Sequence, residues 1–127
     1  MVKKIILLFL LFLTSCYEPQ ITPSTSLILT RNSWRVDTFI DSNINRTSLF
    51  TNQRMYFYSN NTTMFNYVYG SWYVRFDNLR EELLLLHTVY PYNLLSNDWE
   101  ITFKSMDRIE MINRNYYPHD YLIITRF

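Results

Sequence analysis

Arg54-Met55-Tyr56-Phe57-Tyr58-Ser59-Asn60-Asn61-Thr62-Thr63-Met64-Phe65-Asn66-Tyr67-Val68-Tyr69-Gly70-Ser71-Trp72-Tyr73-Val74-Arg75-Phe76 is the stretch that decides the fold. Arg54–Ser59 and Thr63–Tyr69 are aromatic and β-branched, the composition of strands. Between them stands Asn60-Asn61, a hairpin turn in which both central residues are expected at positive φ. Gly70 is expected to make the next corner. Ser71–Phe76 then alternates, with Trp72, Val74 and Phe76 on one face and Tyr73 and Arg75 on the other. Period-2 alternation bounded by turn residues is the signature of a half-buried strand.

The same grammar extends outward in both directions. Upstream, Ser33–Ile40 alternates through Trp34, Val36, Thr38 and Ile40, and the polar segment Asp41–Asn52 reads as a loop. Downstream, Asp77-Asn78 turns into Glu81–Thr88, whose continuous apolar run is the length of a strand. Tyr90 to Asn97 reads as a loop with room for one helical turn. Asp98–Phe103, Arg108–Asn113 and Tyr121–Phe127 follow, with Pro118 kept to a loop where it removes no ladder bond. About eight short antiparallel strands predict an all-β domain, an up-and-down barrel or else a β-sandwich. A barrel leaves no open edge, which suits a chain rich in sticky strands.

Composition agrees. The chain has one glycine, no alanine and twelve asparagines, so asparagine must take the turn positions that glycine usually fills. Three Trp and eleven Tyr follow the single cysteine, Cys16. From Cys16 to Phe127 the chain is the length of one domain. Without Lys3 and Lys4, ten basic residues face eleven acidic ones, a net charge of −1. No basic excess points to nucleic acid.

The amino-terminal end carries a different message. Lys3 and Lys4 precede nine apolar residues, Ile5 to Leu13, and then Thr14-Ser15-Cys16. A charged start, a short apolar run and small residues before a cut site are the parts of a secretory signal. The run falls short of the about 20 residues of a spanning helix. Leu13-Thr14-Ser15-Cys16 resembles the lipobox of bacterial lipoproteins. That resemblance implies a signal helix over residues 1–15, cleavage between Ser15 and Cys16, and lipid (diacylglycerol and an acyl chain such as palmitate) on Cys16. Residues 16–26, with Pro19 and Pro23, read as an extended tether of roughly 30 Å, and 27–127 as the β domain.

Trp34, the Gly70-x-Trp72 segment and Asp98-Trp99-Glu100-Ile101, set behind a lipobox and a tether, are similar to the short lipocalin-like lipoproteins of Bacteroidetes-type bacteria. Asn32 stands where that family has a glycine. The resemblance implies a lipocalin-like barrel in the cell envelope, on the outer membrane, with Arg126 packing over Trp34 to close it. It implies as partners the membrane, through Cys16, and either a small apolar ligand or an envelope protein.

Catalytic chemistry finds little support in the residues. His87 closes an apolar run and reads as a strand-end residue, and His119-Asp120 reads as loop. Two distant histidines make no metal signature. Glu81 and Glu82 face opposite sides of a strand and cannot act as a paired acid and base. We therefore expect a non-enzymatic protein without cofactors. Tyr56 and Tyr58 on one strand, Phe65, Tyr67 and Tyr69 on its partner, and Tyr73 on the next form the candidate binding face. Met55, Phe57, Met64 and Val68 are expected on the opposite face. Facing outward, the tyrosines would offer a patch to a protein or a glycan; facing inward, they would line or fill the barrel.

Overall fold

The computed structural model describes residues 23–115 and 117–127. The expected signal segment, with Ser15 and Cys16, lies outside them. Among the described residues nine strands follow one short helix: α1 (Thr25–Arg31), β1 (Ser33–Asp41), β2 (Ile44–Asn45), β3 (Met55–Phe57), β4 (Thr62–Phe65), β5 (Val68–Asp77), β6 (Arg80–Leu86), β7 (Asn97–Lys104), β8 (Arg108–Asn113) and β9 (Asp120–Arg126). Every sequential neighbour from β3 to β9 pairs antiparallel, β1 pairs with β3, and β1 also pairs with β9 from Trp34–Arg126 to Ile40–Tyr121. That last ladder closes the sheet. The fold is an all-β, up-and-down, lipocalin-like barrel of eight strands, with β2 as an extra strand on β1, and the sandwich alternative falls away.

Asparagine does replace glycine in the turns. Asn43, Asn52, Asn61, Asn66 and Asn78 all have positive φ. Three two-residue turns, Ser42-Asn43, Asn66-Tyr67 and Asn78-Leu79, have both residues there, the geometry that matches strand twist. The Asn60-Asn61 hairpin differs from expectation. Tyr58 N–H donates to Thr62 O at 2.8 Å across a three-residue loop, and only Asn61 is left-handed. This is the type I turn plus bulge, with asparagine in glycine's place.

The expected strand Thr63–Tyr69 is in fact two strands. Asn66-Tyr67 turns the chain so that Phe65 pairs with Val68 and Met64 with Tyr69. A turn between them resets the alternation, so Phe65 and Val68 share the inner face while Met64 faces out beside Tyr69. Gly70 is no corner; it lies inside β5, opposite Thr63.

The last two residues assigned to the expected tether are helical instead. Thr25 and Ser26 begin α1, whose N-cap Ser24 accepts from Leu27 N–H at 3.3 Å. Seven residues make no stable helix alone. Burial of Ile28 and Leu29 against the barrel mouth holds this one.

The interior is filled. Trp34, Trp99, Phe39, Phe50, Phe65, Met55, Leu83 and Leu122 are almost wholly buried. Their rings interlock, with Phe65–Tyr92 centroids 4.8 Å apart and Phe57–Trp72 5.4 Å apart and perpendicular. An eight-stranded barrel is just wide enough for side chains to fill. α1 closes one end, and the 3-10 turns Thr47–Phe50 and Tyr92–Leu95 close the other through buried Phe50, Tyr92 and Leu95. Each tryptophan indole N–H secures a closing segment or strand end: Trp34 to Leu29 O (3.1 Å), Trp99 to Leu95 O (2.9 Å) and Trp72 to Tyr58 O (3.0 Å).

Candidate functional site

The tyrosines of β3 to β5 face outward. Inward positions of these strands are taken by Met55, Phe57, Thr63, Phe65 and Trp72, so the alternate residues Tyr56, Tyr58, Tyr69 and Tyr73 stand on the outer wall. Tyr56 and Tyr58 stack, with centroids 6.3 Å apart and planes 11° apart. Across the ladder Tyr56 pairs with Met64 and Met64 with Tyr69. Tyr69 is 65% exposed. Tyr67 sits at the tip of the Asn66-Tyr67 turn, 85% exposed, rather than within the strand as expected. Phe65, expected among these rings, is buried.

The wall continues onto β6. Tyr73 pairs with Leu84, and Ser71 with Leu86. Leu84 and Leu86 were hidden within the apolar run Leu83–Leu86: Leu83 and Leu85 face the core, while Leu86 is exposed. Tyr73, Leu84, Leu86, Ser71 and the start of β7 at Asn97-Asp98 line an open cleft of about 370 Å³. Its floor is apolar, and a carboxylate stands at one edge.

Below this cleft the same wall turns ionic. Arg75 bonds Glu82 through Nε (3.1 Å) and Nη2 (3.0 Å) and reaches Asp98 at 3.0 Å. The Glu82 hydrogen bond raises the Arg75 pKa further above its ordinary value, against a smaller opposing effect of desolvation. Arg114 and Arg80 both pair with Glu100, which lies opposite Glu82. The cations separate two facing carboxylates that would otherwise repel. Asp98 is thus held by an arginine at the boundary between apolar and ionic surface.

The remaining candidates have other surroundings. Trp34 and Arg126 are opposite each other in the β1–β9 ladder. The guanidinium turns instead toward Asp107, at 3.6 Å, and is largely exposed. What covers Trp34 is α1, through Leu29. A cation over a ring does occur nearby, with Arg54 4.2 Å from the centroid of Phe127. Asp120 accepts from Ser42 N–H at 2.9 Å, and His119 packs edge-on to Tyr117. None of the described clefts is lined by either. Glu81 and Glu82 do face opposite ways, Glu81 toward Lys104 (3.1 Å) and Glu82 toward Arg75. Among the described residues no group of His, Cys, Asp and Glu is arranged to hold a metal, and no helix is long and apolar enough to cross a membrane.

His87 stands at the end of β6, as expected, and its ring is buried. Its Nε2 lies 2.7 Å from Thr63 Oγ1, and burial lowers its pKa below the ordinary value. It packs in the interior near Tyr92 and opens to no cleft among those described. A search of protein-family models and of curated proteins found no match to this chain.

Proposed function

We propose that this is a non-catalytic, lipid-anchored envelope lipoprotein whose outer wall, from Tyr58 across Tyr69 and Tyr73 to Leu86, binds an envelope partner. The observation that carries the binding site is the division of the barrel. Its interior is packed with aromatic rings, while one outer wall exposes a contiguous set of tyrosines and leucines beside a cleft of about 370 Å³. Contiguous apolar surface rimmed by charge is the mark of an interaction site. Tyrosines suit such a role, because a rigid ring contributes contact area and a hydroxyl finds hydrogen bonds. A filled barrel favours this wall over a small apolar ligand in the lumen. The anchor reading rests on Lys3-Lys4, the apolar run and Leu13-Thr14-Ser15-Cys16.

The test is site-specific photocrosslinking in cells, with the intact chain. A crosslinking residue at Tyr73 or Tyr69 is expected to give a discrete adduct that one at Thr125, on the wall formed by β9, does not. Equal labelling from both walls sinks the proposed site. The intact mass of the mature protein tests the anchor separately, because lipid on Cys16 adds a defined increment.

A further inference from the structure

The end of the barrel at which the chain enters carries exposed apolar tips set among exposed charged neighbours such as Asp77, Arg80 and Asp107. Leu79 is 102% exposed and Phe76 75%. Leu27 and Met106 are also exposed large apolar residues. Leu79 occupies the tip of the β5–β6 turn at φ 65, a conformation that bulky residues rarely adopt.

Hydrogen bonds gather these residues around α1. At its start, Thr25 Oγ1 accepts from Lys104 Nζ at 3.0 Å, and Lys104 also holds Glu81 at 3.1 Å. Glu81 is the cross-strand partner of Phe76, on the hairpin that carries Leu79. Just past the helix, Asn32 Nδ2 donates to Met106 O at 3.4 Å. Leu27 is on α1 itself. At the far end the exposed side chains include three tyrosines, Tyr67, Tyr90 and Tyr117, beside Ile44 and Val89. The four at the helix end carry no hydroxyl, and Tyr58 in the loop beside α1 is exposed there as well.

The chain before Pro23 joins the barrel at this same end. From Cys16 to Ser24 an extended chain spans at most about 28 Å. A lipid on Cys16 therefore keeps the helix end within that distance of the bilayer.

We propose that the helix end seats in the interfacial layer of the bilayer, with Leu79 and Phe76 inserted and Leu27 and Met106 at the margin. This rests on the reading that Cys16 is lipidated. Lipid chains supply the attachment; the apolar tips fix the orientation. The barrel then stands on α1, and its tyrosine wall faces sideways, clear of the membrane.

The experiment uses the full chain, purified from membranes and reconstituted in phosphatidylethanolamine–phosphatidylglycerol vesicles, with or without brominated acyl chains. Leu79→Cys and Tyr67→Cys, at exposed turn tips at opposite ends, each carry a bimane label. The expected result is quenching by brominated lipid severalfold stronger at position 79 than at position 67. Protein that floats with the vesicles but shows equal or no quenching at 79 overturns the seating and leaves the anchor standing. Protein that does not float, and whose Cys16 takes the label, overturns the anchor and the seating together. Intact mass identifies one more overturning case, in which residues 1–15 are retained and cover the patch while position 79 stays unquenched.

Discussion

Thr63 Oγ1 and His87 Nε2 lie 2.7 Å apart inside the barrel, and the one glycine of the chain makes room for that pair. Gly70 is the cross-strand partner of Thr63. A Cβ at Gly70 would stand 2.6 Å from the His87 ring and would clash with Leu86 O. The imidazole is buried and its pKa lies below the ordinary 6.5. Well above pH 6.5 the ring is neutral in both folded and unfolded chains and has no effect on the slope. As pH falls below 6.5 the unfolded chain takes up a proton that the folded chain resists. Stability is therefore lost downward from 6.5 until the folded pKa is reached, with a slope approaching about 1.4 kcal/mol per pH unit. Urea midpoints at several pH values between 7.5 and 5.5 measure this. In His87→Gln the fall should flatten; an undiminished fall would show that other groups cause it.

Gly70→Ala is expected to destabilise by about 1–3 kcal/mol, the usual cost of overpacking a close-packed interior. The contact with Leu86 O is to backbone, which cannot swing aside. Thermal melting of Gly70→Ala beside Gly70→Ala/His87→Ala separates the two clashes. The double variant should recover only the part owed to the ring, after allowance for the loss in His87→Ala alone. Wild-type stability in Gly70→Ala would mean that β5 and β6 shift freely there.

Trp34→Phe tests the closing of the helix end. Phenylalanine keeps the ring and loses the N–H that reaches Leu29 O at 3.1 Å. A buried carbonyl left without its donor costs about 1–3 kcal/mol. The loss should be local, so amide exchange in Ile28 to Arg31 should quicken before that in β8. Uniform quickening across the barrel would count against a dedicated helix latch.

The strands were legible because alternation reports burial directly. Trp34-x-Val36 and Trp72-x-Val74 put the right residues inside, and asparagine stood in for glycine as composition required. Four features were not legible. A β-bulge between Val36 and Thr38 turns Phe39 into the core, so Thr38 and Ile40 leave the face of Trp34 and Val36 on which alternation put them. Asn66-Tyr67 is a turn, but tyrosine at positive φ has no sequence signal, so Phe65 was placed on the wrong face. The helix Thr25–Arg31 has a serine cap but no glutamate three residues on, and its threonines and isoleucine favour strand; only the barrel mouth makes it helical. Leu84 and Leu86 of the candidate site were hidden because four leucines in a row have no period.

Lys104 supports the most informative cycle. It is the only lysine after Lys4, and it joins α1, β6 and β7 through Thr25 and Glu81. The pair is partly buried, with Lys104 26% and Glu81 14% exposed, so solvent screens it incompletely. Lys104→Met leaves a partly buried carboxylate without its cation and should cost about 1–2 kcal/mol, between the values for surface and buried pairs. Replacing both partners, Lys104→Met with Glu81→Leu, removes the stranded charge as well as the bond. The double variant should therefore be nearer the wild type than the sum of the single losses, and the coupling is measured as a double-mutant cycle from urea midpoints. Strictly additive losses would mean that the ion pair contributes nothing and that Lys104 holds α1 through Thr25 alone.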